Sequence, residues 1–223
     1  MYEIKNSKQV ELSDKVRFRC KRCAECCRHV EGSVVIESID AFCLSKYLKI
    51  ELDEFYERYT DMFLLENTMY PVFALKVTGK AKECIFLKGK RCIVQDAKPR
   101  TCRMYPFWVE PLALYGQDFT YNLSKEQKHH PKGSLIRVKD WMNKYFYEDE
   151  RKFLKEEYRI VTKIAPLLNT LKHLERNQDD ILHLMLFYRY YNFNLEESFL
   201  PQQHKNDMFL EEALKNKIKS LTT

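Results

Sequence analysis

The stretch that decides the fold is Phe18-Arg19-Cys20-Lys21-Arg22-Cys23-Ala24-Glu25-Cys26-Cys27-Arg28, which holds four cysteines within eight residues. A Cys-x-x-Cys pair can turn both sulfurs toward one metal ion, and a zinc or iron centre is completed by about four such ligands. The adjacent pair is different, because successive side chains tend to diverge. We therefore expect Cys26 and Cys27 not to serve one ion in the same way.

Further candidate ligands lie downstream, and the whole set exceeds the needs of one mononuclear ion. The set is Cys20, Cys23, Cys26, Cys27, Cys84, Cys92 and Cys102, with His130 as a possible eighth ligand. Two arrangements fit: two centres of about four ligands each, or one centre with spare thiols. Zinc and iron both accept thiolates, so a structural zinc ion and an iron–sulfur cluster stay equally open.

The cellular compartment decides what the eight cysteines do. The sequence has no apolar run of membrane-spanning length and no apolar signal-peptide core near Met1, so we expect a cytoplasmic protein with no membrane partner. In a reducing cytosol disulfides are unfavourable, and the cysteines are expected to be metal ligands. Cys43 is the exception, because it lies on the apolar face of a predicted helix over residues 39–49 and should be a core residue.

The expected fold class is α+β, with a cysteine-rich, metal-stapled lobe of short strands (1–134) packed against a mainly α-helical region (135–223). Phe18 should anchor the cysteine run in the core, and a hairpin should bring Cys84 and Cys92 together on its two arms. The hydrophobic periodicity predicts helices over residues 53–65, 181–191 and 206–221. Pro166 should break or kink the helical pattern that begins near residue 137.

Basic residues are concentrated in one part of a chain whose net charge is only +6. Nine Lys or Arg residues lie between Lys76 and Phe107, against two acidic ones. They could form a solvated surface, support the charge of nearby thiolates, or give a zinc-stapled interaction module a face for an anionic partner. Arg100 and Arg103 flank Cys102, and each could pair with a carboxylate or donate to the centre or a bound anion.

The cysteines belong to a longer ordered pattern. After the opening run come Cys84-Ile85-Phe86-Leu87, Cys92, Lys98-Pro99-Arg100 and Cys102-Arg103-Met104-Tyr105-Pro106-Phe107. This combination resembles the CxxCxxCC cysteine-cluster family, or YkgJ family, over roughly residues 18–133. The resemblance implies a domain that chelates zinc or iron. His130-Pro131-Lys132-Gly133 stands where the family usually has a Cys-Pro-Gly-like element, so an imidazole would replace a thiolate.

Motifs of other enzyme classes are absent from the sequence. It contains no P-loop, no Gly-x-Gly-x-x-Gly and no Gly-x-Ser-x-Gly motif. With only five glycines, a dinucleotide-binding or Rossmann-type methyltransferase core is not expected. Any activity would therefore reside at the metal centre. The resembled family includes flagellin lysine methylases, which implies a metal-dependent enzyme that modifies a protein substrate as a further hypothesis.

Overall fold

The structure is a computed structural model that describes residues 7–111, 118–124, 133–174 and 178–222. Up to Pro111 the elements are short: β1 (Ser7–Val10), β2 (Lys15–Arg17), β3 (Val35–Ile36), α1 (Ser38–Leu48), α2 (Leu52–Tyr59), β4 (Thr60–Leu64), β5 (Pro71–Leu75), β6 (Val77–Thr78), β7 (Glu83–Cys84), β8 (Leu87–Lys88), β9 (Arg91–Cys92), α3 (Arg100–Met104) and β10 (Phe107–Pro111). The later elements are β11 (Phe119–Ser124), β12 (Leu135–Arg137), α4 (Val138–Tyr145), α5 (Glu148–Leu174), α6 (Asp179–Leu186) and α7 (Phe199–Thr222).

Antiparallel pairing joins the strands into several small sheets. One three-stranded sheet has the order β1-β11-β10 and another the order β3-β5-β4. β12 pairs with β2, and the β6–β7 and β8–β9 ladders each contain two strands. The expected α+β class is confirmed: the cysteines lie among short strands, and long helices dominate the C-terminal half.

The helix predicted over residues 53–65 is wrong in its second half. Helix α2 ends at Tyr59, and the chain continues directly into β4. Met62 and Phe63, expected on the apolar face of a helix, pair instead with Phe73 and Val72 of β5 and are exposed. Because β5 is a buried core strand, its unpaired edge supplies partners that override the helical periodicity.

Of the break or kink expected at Pro166, the break does not occur, because α5 runs through that residue without interruption; a kink there stays a prediction. The proline removes one N–H bond, the one to the carbonyl of Thr162. On either side, Ile164 and Leu168 are buried in a cluster that also contains Leu210 of α7. Burying such a side chain contributes roughly 1.5–3 kcal/mol, which offsets the lost bond. The last helix, α7, likewise begins earlier than predicted.

The predicted helix over residues 181–191 divides into two parts. Helix α6 covers Asp179–Leu186, and a π-helical turn follows over Phe187–Tyr191. The turn places Tyr190 in the core of the cysteine-rich half, where its ring contacts Phe73 and Tyr56.

Apolar clusters connect the two halves of the sequence. One cluster surrounds Phe55 and Phe86 and includes Tyr190; a second joins Phe107 to Phe153. A division into domains at residue 134 stays a prediction. Among the described helices, none combines the length and the apolar character that crossing a bilayer requires.

Candidate metal centre

Phe18 anchors the cysteine run, as the sequence predicts. The side chain is buried, and its ring lies edge-on to Trp141 at 5.2 Å between centroids. Its backbone N–H donates to the carbonyl of Ser134 at 3.0 Å. Gly133 lies so close that an added Cβ would be 2.7 Å from the Phe18 carbonyl carbon, which explains why that position lacks a side chain. The start of the run is thus fixed against residues 133–141.

Beyond Phe18 the run folds as an irregular loop. Arg22, Ala24 and His29 have positive φ values of 53°, 65° and 55°. A left-handed conformation costs a non-glycine residue roughly 1–2 kcal/mol. A short 3-10 turn over Glu25–Cys27 follows Ala24. Local preference therefore does not account for this backbone, and contacts elsewhere in the protein must hold it.

The two middle cysteines lie on separate ladders rather than on one hairpin. Cys84 pairs with Val77 in the β6–β7 ladder, and Cys92 pairs with Leu87 in the β8–β9 ladder. The predicted hairpin forms between Leu87–Lys88 and Arg91–Cys92, and both cysteines border one cavity, but Cys84 lies before the first arm of the hairpin and pairs with β6 instead. A tight turn at Gly89, whose φ is +62°, closes β8 onto β9 and brings Cys92 back toward the other thiols.

Cys102 lies on the single-turn helix α3, which three carboxylates position, those of Asp40 and Glu150 buried and that of Glu37 half-buried. The backbone N–H of Arg100 donates to Asp40 Oδ1 at 2.8 Å, and its guanidinium donates to Glu37 at 2.7 Å. Arg103 pairs with Glu150 and donates to the carbonyl of Lys98. Of the alternatives open for Arg100 and Arg103, the structure shows carboxylate pairing. Glu37, Asp40 and Glu150 carry no sequence signal for this role, since all lie more than 40 residues from their partners.

All seven candidate cysteines border two adjoining cavities. The outer cavity, of about 620 Å³, is lined by Cys20, Cys23, Cys26, Cys27 and Cys92. The inner cavity, of about 590 Å³, is lined by Cys26, Cys27, Cys84, Cys92 and Cys102. Tyr105 is half-buried and lines both cavities. The folded chain thus brings together cysteines that are up to 82 residues apart in sequence.

The thiols are close enough to influence one another. Burial raises the pKa of Cys102, and the neighbouring thiols of Cys84 and Cys26 raise it further. Burial also raises the pKa of Cys84 and of Cys92. In the metal-free protein these three groups are therefore held as neutral thiols, and metal binding has to release their protons.

The adjacent cysteines are electrostatically unequal. Their sulfurs lie 3.9 Å apart and share a hydrogen bond. That bond raises the pKa of Cys26 and lowers the pKa of Cys27, because one thiol keeps a proton that the other sulfur accepts. Of this pair, Cys27 is the sulfur that is more readily a thiolate.

The thiol groups of the seven cysteines suit a thiophilic metal chemically. Their side chains do not point to one common position, however. Among residues 7–111, 118–124, 133–174 and 178–222, no three Cys, His, Asp or Glu side chains form a group that could hold a metal ion as they stand. His130 lies outside the described residues. Cys43 lines neither cavity, and it is exposed, so its expected place in the core is wrong: the buried face of α1 contains Ala41 and Leu44 instead.

Comparison with known proteins identifies a family, and a curated relative matches part of the chain. The sequence profile of the family CxxCxxCC, described as "Putative zinc- or iron-chelating domain", matches residues 19–133. An uncharacterized protein of Methanocaldococcus jannaschii is 31% identical over 97 residues, which cover 43% of this chain and 47% of that protein. The match thus spans about half the length of the relative. No solved structure matches the chain.

Proposed function

Because the chain belongs to the CxxCxxCC family of zinc- or iron-chelating domains, we propose that it is a cytoplasmic metal-binding protein with its centre in the inner cavity. One observation carries this proposal: cysteines from the opening loop, from β7, from β9 and from α3 all border that cavity. Thiolate sulfur is the ligand that zinc and iron–sulfur centres share. All eight cysteines are free thiols, which suits a reducing compartment.

In this proposal the metal in the inner cavity is bound by Cys27, Cys84, Cys92 and Cys102. Cys27 is the favoured member of the adjacent pair, since its pKa is lowered while that of Cys26 is raised. The other three come from three different elements that enclose the inner cavity. When bound, the metal would supply a positive charge that replaces their protons and fixes the strained loop.

Cys20, Cys23 and Cys26 serve the outer side of the centre in the same proposal. Cys20 and Cys23 line only the outer cavity, whereas Cys84 and Cys102 line only the inner one. One zinc ion takes four sulfurs at ~2.3 Å, and seven candidate cysteines exceed that number. A cluster or two neighbouring ions therefore fits this donor set as well as one isolated ion. His130, outside the described residues, is kept as a candidate ligand.

Metal analysis of protein purified without oxygen tests the proposal. We expect at least one equivalent of zinc or iron, bound tightly enough to survive gel filtration. Broad visible absorption that disappears on reduction or on exposure to air would identify an iron–sulfur cluster, and a colourless protein would contain zinc. A content below about half an equivalent of any transition metal, in protein with normal circular dichroism, would overturn the proposal.

A further inference from the structure

The outer cavity is lined by five basic residues and by no acidic one. The basic residues are Lys21, Arg22, Lys90, Arg91 and Lys98. None of them pairs with a carboxylate of the described residues, whereas other cations nearby do, such as Arg28 with Glu83. The first four are exposed and Lys98 is half-buried. The cavity therefore concentrates positive potential in a concave space.

The proposed metal centre does not by itself explain this charge. A divalent ion held by four thiolates carries two net negative charges, which would leave about three of the five cations without a counter-charge. Lys98 lies near enough to the thiols to lower the pKa of Cys26 and of Cys92. The side chains of Lys21, Arg22, Lys90 and Arg91 are exposed at the cavity and can contact something that enters from solvent.

The rest of the lining indicates the kind of anion. Leu87 and Tyr105, which are half-buried, give the cavity an apolar wall. A volume of about 620 Å³ is within the range of sites for small organic ligands. Guanidinium groups such as those of Arg22 and Arg91 bind the oxygens of phosphate in pairs. We propose that the outer cavity binds a small organic phosphate that carries at least two negative charges and an apolar group.

This inference rests on the proposed function, because the metal centre would form the inner wall of the same cavity. A single-stranded nucleic acid fits the lining less well. Proteins that bind single-stranded nucleic acids stack successive bases on exposed aromatic side chains along a groove. Here Phe18 is only 4% exposed and packs edge-on against Trp141, which leaves Tyr105, itself half-buried, as the one ring of the described lining that a base could reach, so there is no row of stacking surfaces. The cations also surround a single cavity, whereas a nucleic-acid backbone would need cations spaced along an extended groove.

Calorimetric titration of the metal-loaded protein tests the inference, with ATP, pyrophosphate and a twelve-nucleotide oligo-dT as separate probes. We expect ATP to bind more tightly than pyrophosphate, because only ATP carries an organic group, whose adenine ring can lie against the apolar wall. The variant K21Q/R22Q/K90Q/R91Q should weaken ATP binding at least tenfold, since each lost contact is a charge-assisted one. The control K8Q/K49Q/K139Q/K205Q removes the same charge at exposed lysines outside the cavity and should change the affinity less than twofold.

Several results would overturn the inference. One is an absence of ATP and pyrophosphate binding at physiological salt. Another is an equal loss of ATP affinity in both quadruple variants. A third is tight binding of oligo-dT alone, with a steep salt dependence. Loss of metal from the cavity variant would show that the cations support the thiolates instead. Metal content is measured on every sample, so the two proposals fail separately. Metal without ATP binding removes this inference, and ATP binding without metal removes the proposed function.

Discussion

The backbone N–H of Arg100 donates a 2.8 Å hydrogen bond to the carboxylate of Asp40, and both residues are buried. Arg100 is the first residue of α3, so a side chain from α1 closes the N-terminus of the helix that carries Cys102. Helix α3 has only five residues and can make few hydrogen bonds of its own. The position of Cys102 therefore depends on Asp40.

Replacing Asp40 with alanine should lower the free energy of unfolding by about 1–3 kcal/mol, because it leaves a buried N–H without an acceptor. The same change should reduce metal content, since Cys102 loses its support. Burial raises the pKa of Asp40 to about 7, so a neutral acceptor is a suitable replacement. Asp40→Asn keeps a carbonyl oxygen there and should stay within about 1 kcal/mol of the wild type. Urea denaturation compares the variants, and equal losses in both would assign the effect to the charge.

Single serine substitutions should separate the ligands from the remaining cysteine. Cys84→Ser, Cys92→Ser and Cys102→Ser should each lower metal content and destabilise the cysteine-rich half, because metal-binding free energy is also folding free energy. Cys43→Ser is the matched control, since Cys43 is exposed and lines neither cavity. It should retain full metal content and change stability by less than about 0.5 kcal/mol. Metal loss in Cys43→Ser as complete as that in Cys102→Ser would show that the ligand assignment is wrong.

The adjacent cysteines provide a finer test of the same assignment. Cys27→Ser should lower metal content more than Cys26→Ser, because Cys27 is the sulfur whose pKa is lowered. Both residues line both cavities, so position alone does not favour either one. Metal analysis of the two variants at equal protein concentration measures the difference. Equal loss would mean that both sulfurs bind metal, or that neither does.

The sequence predicts the chemistry of this protein better than its local geometry. Spacing and residue type suffice to single out the seven cysteines that border the two cavities. The pairing of Cys84 with Val77 could not be predicted, since it depends on β7 finding β6 as its partner. Met62 and Phe63 of β4 also suit a helical pattern, and only the neighbouring β5 decides between strand and helix. The contact between Asp40 and Arg100 leaves no trace in either local sequence.

Gly133→Ala should displace the start of the cysteine run, although residue 133 is not part of that run. The added Cβ would lie 2.7–2.8 Å from three backbone atoms of Phe18, which cannot move as a flexible side chain could. We expect a loss of about 1–3 kcal/mol in the free energy of unfolding, as for overpacking elsewhere, together with weaker metal binding. Ser134→Ala, at the exposed neighbouring position, keeps the backbone carbonyl that accepts from Phe18 and should behave as wild type. Wild-type stability in Gly133→Ala would contradict the close approach described here.

The buried group around Arg189 should make stability depend on pH in an identifiable way. Arg189 donates to Asp207 Oδ1 at 2.5 Å and also pairs with Glu157, so one guanidinium faces two carboxylates. Burial raises the pKa of Asp207 to about 6; Arg189 opposes this effect, and the charge of Glu157 adds to it. The ordinary value is about 3.9, so between these two values the folded protein holds a proton that the unfolded chain releases.

The stabilisation that comes from this proton is complete below about pH 4 and is lost as the pH rises through about 6. A difference of about two pKa units corresponds to on the order of 2 kcal/mol. Asp207→Asn removes the titrating group, so its free energy of unfolding should fall less than that of the wild type between pH 4.5 and 7.5. Urea denaturation of the metal-free proteins at both pH values measures this difference and excludes proton release by the cysteine ligands. Asp61→Asn, at an exposed position on β4, should keep the full wild-type pH dependence. If Asp207→Asn kept it as well, the titration of Asp207 would not be its cause.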